Sequence, residues 1–130
     1  MNFLNGKLVE QAGSLSFRED APSGAATIPL SGEMAAKLRP HAGKPAVMGF
    51  RPQGLVEAAA GGPTLDLTIR VVEPLGDTLD LSCVTDSGLP VVARVPAKRM
   101  LQPGSKVRFG LDSSHVHFFE LGEHGLSLLI

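Results

Sequence analysis

The sequence contains no tryptophan and no tyrosine, and its six phenylalanines make up an aromatic content of 5%. It holds a single cysteine, Cys83. One thiol cannot close an internal disulfide, so nothing in the chain signals a disulfide-stapled secreted fold. An excess of positive charge is also missing: 12 Lys and Arg face 13 Asp and Glu, for a formal net charge of −1. Binding dominated by nucleic-acid phosphates calls for a clear basic excess, so the expectation is no nucleic acid partner. The longest apolar runs are strand-sized, far short of the roughly 20 residues that span a bilayer. Met1-Asn2-Phe3-Leu4 leads at once into polar and charged residues, without the basic start and long apolar segment of a secretory signal. The chain is therefore expected to be cytoplasmic and soluble, with membrane association only through a partner.

Catalytic and cofactor-binding motifs are equally scarce. Gly6-Lys7-Leu8 and Gly43-Lys44-Pro45 lack the Ser or Thr and the earlier glycine of a phosphate-binding loop. No Gly-x-Ser-x-Gly elbow occurs. Leu30-Ser31-Gly32-Glu33 matches the start of a nucleotide-binding signature, Leu-Ser-Gly-Gly-Gln, but reads as a strand-to-helix cap. Cys83 sits among Leu81, Ser82 and Val84, where a small core hydrophobe is expected rather than a nucleophile. His115 and His117 are two apart and would share one face of a strand. A metal there needs a third ligand from His41, His124, Asp112 or Cys83, and that spacing is not diagnostic. No catalytic, cofactor or metal residue is assigned. Phe109, Phe118 and Phe119 beside the basic stretch 94–108 are the material for base stacking on a nucleic-acid-binding barrel, an alternative that the charge balance disfavours.

What the chain does have is punctuation: 15 Gly and 10 Pro in 130 residues divide it into short segments. Strands are expected over Phe3–Gln11, Ser14–Arg18, Ala25–Leu30, Ala46–Arg51, Leu65–Val72, Leu79–Thr85, Leu89–Val95, Lys106–Leu111, His115–Leu121 and Leu126–Ile130. Leu65, Leu67, Ile69 and Val71 alternate with Asp66, Thr68, Arg70 and Val72, which points the first set at the core. Gly32–Leu38 is the one helical segment, capped by Ser31 or Gly32 and stopped by Pro40. Gln53–Pro63, with its Ala58-Ala59-Ala60-Gly61-Gly62-Pro63 run, reads as loop. The fold class is mainly β: an antiparallel OB-like barrel, or a pair of them, with one short helix.

Charge is unevenly spread. Between Gln53 and Pro90 lie six acids and one base; between Val91 and Arg108 lie five bases and no acid. This pattern is expected to resolve into cross-strand ion pairs within one sheet, each worth a fraction of a kcal/mol; a surface that docks a partner is a second reading compatible with the first.

Several short motifs, taken in order, resemble the C-terminal regulatory region of ATP-binding subunits from carbohydrate-type ABC importers, which carries a transport-associated OB (TOBE) domain. Met1-Asn2-Phe3-Leu4-Asn5-Gly6 resembles Met-Asn-Phe-Leu/Ile-x-Gly. Gly49-Phe50-Arg51-Pro52-Gln53 resembles Gly-Ile/Val-Arg-Pro-Glu, with Gln for Glu. Val72-Glu73-Pro74-Leu75-Gly76-Asp77-Thr78 resembles Val-Glu-x-Leu-Gly-x-Glu-Thr, one residue short. His117-Phe118-Phe119-Glu120 resembles His-Leu-Phe-Asp. The resemblance implies a single regulatory domain over 1–130: 1–52 supplies strands and the helix, and 64–130 a TOBE/OB-like barrel on the same core. It implies a non-catalytic module that pairs with a second copy and with the nucleotide-binding domain of its parent ATPase. It also implies docking of regulatory proteins in some members, and a cytoplasmic place peripheral to the inner membrane through the permease subunits. Arg51, Pro52, Glu73, His117, Phe118 and Phe119 are the candidate interface residues, with Arg51 expected to pair with an acid such as Glu73. The alternative is a barrel that senses a small oxyanion or sugar.

Overall fold

A computed structural model describes residues 1–59, 62–122 and 125–130. The chain is mainly β. Its strands are β1 (Asn2–Gln11), β2 (Ser14–Glu19), β3 (Thr27–Leu30), β4 (Pro45–Phe50), β5 (Leu55–Glu57), β6 (Thr64–Pro74), β7 (Thr78–Thr85), β8 (Pro90–Pro96), β9 (Lys106–Leu111), β10 (Val116–Gly122) and β11 (Gly125–Leu128). The helix α1 covers Gly32–Leu38, the expected span. Ser31 occupies its cap position without a side-chain capping hydrogen bond, so the packing of Ala35 and Leu38 into the core holds it in place. Among the described residues no helix is long and apolar enough to cross a membrane.

The strands form two antiparallel sheets. The first has the order β11-β10-β4-β1-β2-β3 and the second β5-β9-β6-β7-β8. In the second, β8 packs against the 52–54 turn and β5, which curls the sheet toward an OB-like barrel. Alternation decides what each strand buries. Leu4 and Leu8 of β1, Leu15 and Phe17 of β2, and Met48 and Phe50 of β4 point inward from the first sheet. Leu65, Leu67 and Ile69 of β6, Leu81 and Cys83 of β7, and Val91, Ala93 and Val95 of β8 point inward from the second. All belong to one buried cluster. Gly6 lies in the inward row of β1 because a methyl there would stand 2.2 Å from the Arg18 carbonyl oxygen and 2.7 Å from the Phe17 ring.

The expected boundary at residue 64 does not describe the sheets. β10 and β11 join the first sheet, and β5 joins the second. The reason is a single ribbon. β4 pairs with β10 up to Phe50↔Val116, and β5 pairs with β9 from Leu55↔Leu111. Between them the Arg51 N–H donates to the His115 carbonyl (3.1 Å) and the Asp112 N–H to the Gly54 carbonyl (2.9 Å). Residues 45–57 and 109–119 thus run antiparallel from one sheet into the other. The bend falls on two 3₁₀ turns, Pro52–Gly54 and Ser113–His115. The segment after Pro52, expected to be loop, therefore contains a turn and β5.

A second difference is in β6. Its pairing with β7 slips between Ile69↔Cys83 and Val71↔Ser82, leaving Arg70 as the extra residue of a bulge. The bulge reverses the phase of the alternation, so Val71 is 56% exposed instead of facing the core, and Val72 packs against it.

Polar contacts lock the sheets together. The Asn2 amide donates to the Val92 carbonyl (2.8 Å) and accepts from the Val92 N–H (3.0 Å), as a neighbouring strand would along the edge of β8. Glu19, buried at the end of β2, accepts from the Ser87 hydroxyl (2.7 Å) and the Ala26 N–H (3.1 Å). These donors keep the desolvated carboxylate satisfied where it would otherwise cost several kcal/mol.

Candidate functional site

The first sheet turns an apolar face away from the core. Its rows follow from register: Phe3 lies opposite Gly49, and Gly49 opposite His117. In the next row Asn5, Val47, Phe119 and Leu128 succeed one another across four strands. Phe3 and Phe119 meet edge to face with centroids 6.1 Å apart. Beneath them, a methyl on Gly49 would lie 2.9 Å from the Met1 sulfur, 3.0 Å from the Phe119 ring and 3.1 Å from the Phe3 ring. Gly49 is therefore the floor on which the two rings pack. Val47 is buried on this side although it lies outside the core cluster. Met1, Phe3 and Leu128 remain 50%, 46% and 62% exposed. Contiguous exposed apolar side chains make this face the candidate interaction surface.

The six expected interface residues divide. Phe119 and His117 lie on this face, and the His117 Nδ1 lies 3.3 Å from the Ile130 carbonyl oxygen. Arg51, exposed, and Pro52 follow at the end of β4, where the ribbon bends. Phe118 is not at the surface: it is 0% exposed and packs on Phe17 at 5.7 Å. Glu73 is in the second sheet, opposite Asp80, and among the described residues no ion pair joins it to Arg51. Adjacent residues on a strand face opposite ways, so Val116 and Phe118 in one phase and His117 and Phe119 in the other carried the signal for this division. Phe3, Val47 and Leu128 were missed because only the register places them beside Phe119.

The second sheet's outward side is built from charge. Arg108 grips Asp66 with two hydrogen bonds of 2.8 and 3.2 Å, and Arg94 grips Asp80 with two of 2.7 and 3.0 Å. Lys106 reaches Asp86 at 2.9 Å. Both arginine pairs sit directly opposite one another in register, as the charge pattern led us to expect. The arginine hydrogen bonds hold the Asp66 and Asp80 carboxyls below the usual range. Asp112 is lowered as well, by hydrogen bonds from the Ser114 hydroxyl and N–H at the second 3₁₀ turn.

The remaining candidate residues resolve as follows. Cys83 is buried, and burial pushes its thiol up to about 11. His115 lies in a 3₁₀ turn and His117 on β10, so they do not share a strand face. His124 lies outside the described residues. No three His, Cys, Asp or Glu side chains among the described residues are grouped to hold a metal ion. Phe109 and Phe118 are both fully buried, with Arg99 5.3 Å from the Phe109 ring centre.

Residues 36–119 match the TOBE domain family, and residues 1–55 match the MalK OB fold domain family. The chain belongs to the TOBE domain family. Relatives of this TOBE domain are ATP-binding subunits of importers. It is 32% identical over 104 residues to the sn-glycerol-3-phosphate import ATP-binding protein UgpC of Chromohalobacter salexigens, covering 77% of this chain and 28% of that protein. It is also 32% identical over 105 residues to UgpC of Paracoccus denitrificans, covering 80% and 29%. Against the sulfoquinovosyl glycerol transport ATP-binding protein SmoE of Agrobacterium fabrum, identity is 35% over 79 residues, covering 60% and 22%. The TOBE domain thus spans less than a third of these relatives. Its fold is like that of the cytoplasmic molybdate-binding protein ModG in its molybdate-bound form, with a TM-score of 0.57 at 21% identity over 90% of this chain and 94% of that one. The motif Met1–Gly6 now has a physical reading in the TOBE fold: Asn2 clamps β8, Phe3 covers the outer face, Leu4 enters the core, and Gly6 admits Phe17.

Proposed function

We propose that this domain is the regulatory and dimerisation part of the ATP-binding subunit of an importer for sugars or related solutes, without catalytic activity of its own. Its TOBE membership and its importer relatives support the transport setting. The observation that carries the dimer is the outer face of the first sheet, where Phe3, Val47 and Phe119 form an apolar surface. A second copy presents the same residues and can cover them by two-fold symmetry. His117, Arg51 and Pro52 flank this contact. The nucleotide-binding domain belongs to the rest of the subunit, and the complex works at the cytoplasmic side of the inner membrane through permease subunits. A regulatory protein that docks on the domain acts by shifting how firmly the two copies hold together.

Sedimentation velocity over a wide concentration range tests this reading. A monomer–dimer equilibrium that Phe119→Glu shifts to monomer supports it. Monomers at every concentration, together with an undisturbed dimer in the complete subunit carrying Phe119→Glu, overturn it.

A further inference from the structure

Residues 20–26, which join β2 to β3, reach the second sheet without entering the core. Only Ala26 packs against the buried cluster, and none of the segment is itself a buried apolar side chain. Polar contacts therefore hold it, and they converge on Glu19. The Glu19 N–H donates to the Ala26 carbonyl (2.8 Å), and its carboxylate accepts from the Ala26 N–H (3.1 Å), which closes the neck of the segment. The other carboxylate oxygen accepts from the Ser87 hydroxyl (2.7 Å) on the turn between β7 and β8. Ser87 lies 2.8 Å from the Thr85 hydroxyl, which accepts from the Leu89 N–H (2.9 Å). A carboxylate only accepts, and each hydroxyl has one proton to give. Ser87 gives its proton to Glu19, so Thr85 is the donor to Ser87, and the chain from Leu89 to Glu19 points every proton one way. Among the described residues no cation forms an ion pair with Glu19, so neutral donors alone fasten it. Gly24 makes the other contact with this turn. A methyl there would stand 2.4 Å from the Asp86 carbonyl oxygen, and its φ of +66° suits glycine. Between residues 24–27 and Thr64, Asp66, Thr85 and Arg108 of the second sheet lies a cavity of about 190 Å³.

We propose that residues 20–26 form a strap, latched by the Glu19–Ser87–Thr85 chain, that opens as a unit and uncovers this cavity while both sheets stay folded. Segments with few buried apolar contacts open at a free energy well below that of global unfolding, and the strap has this character. Loss of one link is enough to release it. Without the Ser87 hydroxyl a buried oxygen of Glu19 is left without a donor, a state that costs more than the bond itself contributed. Glu19 recovers a partner by turning out to water, and as it turns the Ala26 N–H loses its acceptor. The neck and the latch therefore fail together. Opening bares Asp66 and Arg108 on the side that now faces the strap. The strap adjoins β3, at the opposite edge of the first sheet from β11, so its opening is separate from the self-association proposed above.

Amide hydrogen exchange of the 130-residue protein, followed by NMR at increasing urea, tests the strap. In the parent, the Ala26 amide is expected to be protected but to exchange through an opening that urea hardly promotes. The amides of β1 and β7 should exchange through an opening that exposes far more surface and so responds steeply to urea. Ser87→Ala should speed Ala26 exchange by about tenfold or more, the scale of one buried acceptor left without a donor. Ala26 is then nearly unprotected while β1 and β7 keep most of their protection. Gly24→Ala is the second variant: it leaves the chain of hydroxyls intact, presses the strap away from Asp86, and should unprotect the same amide. Both positions lie outside the core, and a cooperative thermal melt is the check that each variant folds. Four results overturn the proposal: an unprotected Ala26 in the parent, an Ala26 urea response as steep as that of the strands, unchanged Ala26 protection in both folded variants, or protection lost together at Ala26, β1 and β7.

Discussion

The two sheets share one core but treat their outward faces in opposite ways. The second sheet pairs most of its charge: Asp66, Asp80 and Asp86 each meet a cation, Glu73 alone lies opposite an acid, and its exposed Val56, Val71 and Val92 come from three different strands. The first sheet leaves both kinds of surface open. Phe3, Phe119 and Leu128 are grouped, and Lys7 faces Arg18. Surface ion pairs of the second kind contribute little stability; their larger effect is to make that face inert toward partners. The unmatched groups of the first sheet are therefore where the proposed self-association falls, even though both sheets contribute to the core.

The largest test of this contrast uses two neighbouring phenylalanines. Phe118→Ala removes a fully buried ring that packs on Phe17. Deletions of this kind cost about 3–5 kcal/mol, and chemical denaturation of the variant should show a loss in that range. Phe119→Ala removes an outer ring and should cost about 1 kcal/mol, the scale of its aromatic pairing, while weakening self-association. Equal stability losses at the two positions would mean that the outer face is structural, and the contrast between the sheets would fail.

How far the chain could be read in advance follows the same division. Local signals were strong: α1 has the expected ends, and most strands agree within two residues because alternation and Gly/Pro punctuation are properties of neighbouring residues. What depends on distant pairing was not legible. The ribbon that carries β5 into one sheet and β10 into the other rests on hydrogen bonds between residues about 60 apart, such as Arg51 to His115. The three-residue β5 is too short for its alternation to show. The bulge at Arg70 reverses a regular pattern without a glycine or proline to announce it. The outer face needed register as well, since Phe3, Val47 and Phe119 come from three separate strands.

Acid sharpens the comparison from the other side. Hydrogen bonds from Arg108 and Arg94 hold Asp66 and Asp80 below their unfolded value of 3.8. For a depressed carboxyl the stabilisation is present above the unfolded pKa and is lost as pH falls through the folded one. Unfolding measured against pH should therefore show this contribution intact at neutral pH and lost below about pH 4. Asp66→Asn/Asp80→Asn should make that acid limb shallower, since two of the linked protons are gone. A limb of unchanged slope would mean that the second sheet's pairs do not form in solution, and that its face is no more neutralised than the first.

The smallest effect is a gain, and it probes the first sheet's repulsion directly. Lys7→Glu places an acid opposite Arg18, in the arrangement that the second sheet uses for Asp80 and Arg94. Exchanging a like-charge for an opposite-charge cross-strand pair should add about 0.2–1 kcal/mol. In a domain of this size that raises Tm by a few degrees at most, and the gain should shrink as salt screens the pair. The mirror change, Arg94→Glu, should lower Tm, because it sets a second acid against Asp80. Both melts belong in one low-salt buffer, where the pair is least screened. If Lys7→Glu is destabilised under those conditions, Lys7 is already satisfied by a partner on its own sheet, and the first sheet would be as self-contained in its charges as the second.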